Sequence, residues 1–168
     1  MSNQKHFADI SRLEAALKLD PDNEIIRRRL MTAYFLVRAN AVDRLMVWLF
    51  GRNRYVPRAK HQMYLHVRWV IENKPRSALS SMLCSYLIGV ENPKGYQACK
   101  TLWLELVKQN PVDVGVLQNA AIFFSIDDSD CAETLLLRVL NIDPANVTCI
   151  EELEFMRELR RKHEKRSL

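Results

Sequence analysis

The sequence predicts an all-α fold of antiparallel helix pairs stacked along the chain, and three observations carry that prediction. Apolar residues recur at spacings of three and four through most of the 168 residues. Only four Gly and six Pro are present, and the Pro sit between periodic segments, as helix boundaries do. Pro21, Pro75, Pro111 and Pro144 each follow one helix-length segment and precede another, at spacings of 54, 36 and 33 residues.

Taken in order, Phe7, Ile10, Leu13 and Leu17 predict an amphipathic helix over 4–19. The residue before a Pro is crowded out of the α region, so this helix stops at Leu19-Asp20-Pro21. Pro21 is expected at the first position of the second helix, where its missing N–H costs nothing, with Asp20 as its cap. Ile26, Leu30, Ala33 and Val37 form the apolar stripe of that helix, which reaches about Arg38. The rhythm then breaks over 39–56, read as an irregular insertion: a short apolar helix ending at Gly51, then a basic loop.

Pro57 is expected to open a long helix to about Asn73, with Met63, Val67 and Val70 on its buried side. A shorter helix is expected over about 77–89, then a loop marked by Gly89, Pro93 and Gly95, then a helix over Tyr96–Gln109. Two further helices, about 112–125 and 129–141, flank Asp127-Asp128-Ser129-Asp130, whose negative charge suits a helix N-terminus. Pro144 is expected to open the last helix, with Ile150, Leu153 and Met156 facing inward. Its acidic residues come early and its basic residues late; the basic end at 160–168 is expected to fray.

Removing the insertion leaves a period near the roughly 34 residues of tetratricopeptide repeats. Ala120 and Phe123 fall on that family's small and aromatic positions of a first helix. Ala132 and Cys99 fall on the small position of a second helix, and Leu30 and Tyr34 match the leucine and aromatic positions. The chain resembles a divergent tetratricopeptide-repeat protein over about 21–38 and 57–159. It departs from the pattern at Val116, where tryptophan is usual, at Asn119, where leucine is, and at Met31, where a small residue is. The resemblance implies a right-handed α–α superhelix whose inner face binds peptides or proteins. By family phase Arg28, Thr32, Leu117, Ala121 and Phe124 point to that face. The Lys, Asn and Arg set that clamps a peptide carboxylate in part of the family is missing.

The insertion offers a second candidate surface. Trp48, Phe50 and Tyr55 lie beside Arg52 and Arg54, residue types enriched where binding energy concentrates. The competing reading is that Leu45, Trp48 and Leu49 plug a gap in the stack. Arg27, Arg28, Arg29, Arg52, Arg54, Arg58, Lys60 and Arg68 form a basic cluster in a chain of net charge +5, which keeps RNA or an anionic surface as the alternative partner.

Chemistry has little to stand on. His61 and His66 are five apart and do not share a helix face as ligands four apart do. The Asp127–Asp130 run lacks the Gly and terminal Glu of a calcium loop. No catalytic residue, metal ligand or cofactor is expected; a helical-repeat transferase subunit is the third reading. Cys84, Cys99, Cys131 and Cys149 lack metal or disulfide-framework spacing. With no run of about 18 apolar residues and no signal-peptide pattern, the cytoplasm is expected. The sequence is read as one domain, a non-catalytic protein-interaction module of unknown oligomeric state.

Overall fold

The computed structural model describes residues 2–39, 55–81 and 92–166. Among them every regular element is helical: α1 (Ser2–Leu19), α2 (Glu24–Ala39), α3 (Tyr55–Asn73), a 3-10 turn (Ala78–Ser80), α4 (Pro93–Gln109), α5 (Val114–Phe124), α6 (Ser129–Ile142) and α7 (Val147–Arg166). None of these helices is long and apolar enough to cross a membrane. Most of the 39–56 insertion and of the helix expected at 77–89 lies outside the described residues; from the latter, only the 3-10 turn is described. The described residues group into two compact units, Met1–Arg68 and Trp69–Leu168.

In the first unit α1 packs on α2. Ile10 and Leu17 of α1 are buried, as are Leu30, Met31, Ala33 and Tyr34 of α2 and Ala59, Met63 and Val67 of α3. The connection between α1 and α2 corrects the expected Pro placement. Asp20 N–H donates to the Ala16 carbonyl and closes α1 (3.1 Å), and Asn23 N–H donates to the Asp20 carbonyl (3.3 Å). Residues 20–23 are thus a β-turn with Pro21 at its second position, which suits the fixed φ of Pro. The cap is Asn23 rather than Asp20: its side-chain oxygen accepts from Ile26 N–H at 3.0 Å. The helix starts at Glu24, three residues after the Pro.

The second unit uses the same joint twice. Asn110 and Asp143 close α4 and α6, and the N–H groups of Asp113 and Asn146 bond back to their carbonyls (3.3 and 3.2 Å). Asp113 accepts from Val116 N–H at 3.1 Å, and Asn146 from Cys149 N–H at 3.0 Å. Pro144 therefore sits in a turn and does not open α7. The later start also changes which residues face inward: Cys149, Leu153 and Met156 are buried, and Ile150 is exposed. Pro93, read as part of a loop, is instead the first residue of α4, while Pro57 is the third residue of α3. Asn92 caps α4 by accepting from Gly95 N–H at 3.0 Å, with Pro93 in the first turn. The basic end of α7 stays helical to Arg166, aided by a Glu158–Lys162 pair one turn apart (2.7 Å).

Helix α5 is the centre of the second unit, packed against α4, α6 and the 3-10 turn. It buries Val116, Leu117, Asn119, Ala120, Ala121, Phe123 and Phe124, more than one face of a helix, as expected of an interior helix. Phe123 stacks on Tyr96 (5.2 Å between ring centres) and meets Trp103 and the edge of Phe124. The departure at Asn119 has a physical reason. Its side-chain amide donates to the carbonyls of Pro75 and Ser77, at 2.9 and 3.1 Å. It thereby holds the Lys74–Ser77 turn against α5. Asp113, besides capping α5, binds the Arg76 guanidinium of the same turn, which crosses so close to Gly115 that a Cβ there would lie 3.3 Å from Arg76 Cγ.

Replacing Asn119 by Leu restores the apolar residue usual in the repeat pattern but removes one donor from each of the Pro75 and Ser77 carbonyls, which keep the Ser80 hydroxyl (3.1 and 2.6 Å). The expected result is a loss of about 1–2 kcal/mol for the two hydrogen bonds, read as a lower denaturant midpoint in equilibrium unfolding.

Candidate functional site

The first unit holds a cleft of about 420 Å³ built from three helices and a turn. Glu14, Leu17 and Lys18 come from α1, spaced three and four apart and so on one side of it. Arg27 and Leu30 come from α2, Gln62 and His66 from successive turns of α3, and Pro21 from the joint. A volume of this size is within the range of small-molecule sites.

One polar chain runs through the wall. Arg27 is 4% exposed, and its guanidinium donates to the Pro21 carbonyl and to His66 Nδ1, the latter at 3.1 Å. A guanidinium can only donate, so His66 Nδ1 is the acceptor and the imidazole proton resides on Nε2. The Tyr34 ring stacks on His66 at 5.9 Å, and its hydroxyl donates to the Glu14 carboxylate. Burial, reinforced by the Arg27 charge and opposed by Glu14, pushes His66 down to about 4. Burial also lowers Arg27 from its ordinary value, against the pull of Asp22. The cleft therefore presents a neutral imidazole, with the cations Lys18 and Arg27 set against the anion Glu14.

A second cleft of about 440 Å³ in the other unit is lined by Glu133, Arg157, Arg160 and Arg161. Two of its three Arg are paired with carboxylates, and the third, Arg161, donates to the Arg157 carbonyl (3.3 Å). Arg157 binds Glu133 through two nitrogens (3.0 and 2.9 Å), and Arg160 reaches Asp130 (2.9 Å) and Glu133 (3.3 Å). These pairs join α7 to α6 on the surface, where each contributes little.

The residues expected at a binding face fall into three groups. Arg28 and Thr32 are exposed on α2, the Thr32 hydroxyl donating to the Arg28 carbonyl at 3.0 Å. Leu117, Ala121 and Phe124 are fully buried, so they fill the core of the second unit instead of lining an open face. Trp48, Phe50, Arg52 and Arg54 lie outside the described residues, and Tyr55, expected in a loop, is the first residue of α3.

The basic cluster loses Arg27 to the interior, while Arg28, Arg29 and Arg68 are exposed. Asp128 caps α6 and is held below the usual carboxylate range, chiefly by its bond to Lys100. Among the described residues no three His, Cys, Asp or Glu side chains gather as a metal site requires. The Glu14–Tyr34–His66–Arg27 chain is absent from the expectations. Its one sequence signal is Arg27, a charged residue in helical phase with Leu30 and Tyr34.

Compared with protein-family models, curated proteins and solved structures, the chain matches none.

His66 makes stability depend on pH. Because its folded value lies near 4, below the ordinary 6.5, the unfolded chain takes up a proton first as the solution is acidified. The stability is complete above 6.5, falls between 6.5 and 4, and levels off below. The expected loss from this group is up to about 3 kcal/mol. His66→Gln keeps an acceptor for Arg27 and removes this step, which denaturant unfolding across that pH range measures.

Proposed function

We propose that the chain is a non-catalytic interaction module: a divergent tetratricopeptide-like scaffold whose helix pairs form a right-handed superhelix and hold a protein or peptide partner. The observation that carries this reading is the recurring joint. At Asp20–Asn23, Asn110–Asp113 and Asp143–Asn146, the same turn closes one helix and caps the next. Chains that stack helix pairs this way use most side chains for neighbour packing and leave an extended concave face for binding.

On α2 that surface is Ile25, Arg28 and Thr32, spaced as one helix face and all exposed, Ile25 at 67%. A mixed apolar and Arg face is suited to a protein segment. Trp48, Phe50, Arg52 and Arg54 belong to the same proposal by composition. The proposed address is cytoplasmic, in keeping with Cys131 and Cys149 as thiols.

The test places a photo-crosslinking side chain at Arg28, at Trp48 or at the exposed control Thr134, and illuminates source-cell extract at moderate salt. A discrete protein adduct from Arg28 or Trp48, missing from Thr134, supports the module. Adducts consisting only of nucleic acid, lost on nuclease treatment and at higher salt, contradict it and favour the basic-cluster reading.

A further inference from the structure

The cleft of the first unit has features that a packing joint does not require. Its apolar lining is Leu17, Leu30 and the Pro21 ring, the last on an exposed residue. Its polar wall is rich in donors. The hydrogen bond from Arg27 fixes the His66 proton on Nε2, and the Gln62 amide stands one helical turn before it on α3. Lys18 adds an ammonium at the exposed rim. The Glu14 carboxylate accepts from Tyr34, which commits one of its oxygens inside the wall. The charges of Lys18, Arg27 and Glu14 leave a surplus of one positive charge.

We propose that this cleft binds a small organic monocarboxylate with an apolar tail. The carboxylate meets Lys18, the Gln62 amide and the His66 Nε2 side, and the tail lies on Leu17, Leu30 and Pro21. Arg27 contributes its charge from within the wall while its hydrogen bonds remain internal. One surplus charge matches a monoanion better than a phosphate dianion, and the apolar lining gives the tail a reason to stay. The site stands apart from the surface proposed for a protein partner: Arg28 and Thr32 do not line the cleft.

The experiment titrates the full chain with hexanoate at neutral pH and follows the His66 imidazole resonances by NMR. Hexylamine, with the same tail and the opposite charge, and inorganic phosphate serve as comparison probes. The expected result is a saturable shift with hexanoate at a Kd of about 1 mM or tighter, and none with hexylamine. Lys18→Glu and Gln62→Ala change side chains outside the core, and circular dichroism checks that each folds. Each is expected to weaken hexanoate by about tenfold. Equal response to hexylamine, tighter binding of phosphate than of hexanoate, unchanged affinity in both folded variants, or no saturable shift in the wild type would each overturn the proposal.

Discussion

The joint between helices is the constraint on which the rest of this structure depends. A helix leaves its last carbonyls and first N–H groups without partners, and at a short connection both sets must be satisfied within a few residues. Here the residue before Pro returns its N–H to the closing helix, Pro occupies the second position of a tight turn, and an Asn or Asp two residues later caps the next helix. Pro removes a donor that the turn does not need and narrows the unfolded chain's freedom at that point. With the turn geometry set, the phase of the following helix is set, and with it the residues that become core. The inward position of Cys149 instead of Ile150 follows from this.

Polar groups in the interior then do what apolar packing cannot: they fix register. Asn119 reaches across 44 residues of chain to two carbonyls of one turn, so α5 and the turn fit in one arrangement. Arg27 and His66 do the same in the first unit across 39 residues, and Arg27 ties that contact to the Pro21 carbonyl of the joint itself. Such contacts add only modestly to stability when made, but are costly to break, because a buried donor or acceptor then has no water to turn to.

Much of the helical content is legible in the sequence, because the periodic stripes of α2 and α3 and the Pro boundaries are local signals. The errors are local as well and share one cause. Asp20 and Asn23 are both good caps, and only the turn hydrogen bond chooses between them. Gly95 looks like a loop residue, yet Asn92 accepts its N–H and it lies buried in the first turn of α4. The candidate site is far less legible. Repeat phase sends Leu117, Ala121 and Phe124 to a surface, but α5 is covered on more than one side, a signal that its almost wholly apolar sequence carries and that repeat phase overrides. The pairing of Arg27 with His66 joins residues far apart in the chain, and periodicity says nothing about that.

The most direct measurement of the joint is the unfolding free energy of Asn146→Ala beside Asn146→Asp. Asn146 is half-buried, and its side-chain oxygen accepts from Cys149 N–H. If the cap governs the joint, alanine lowers stability by about 1 kcal/mol and aspartate, which keeps an acceptor at the same place, retains most of it. Equal stability of the wild type and the alanine variant would contradict the account, and would mean that apolar packing of α7 alone sets where that helix begins.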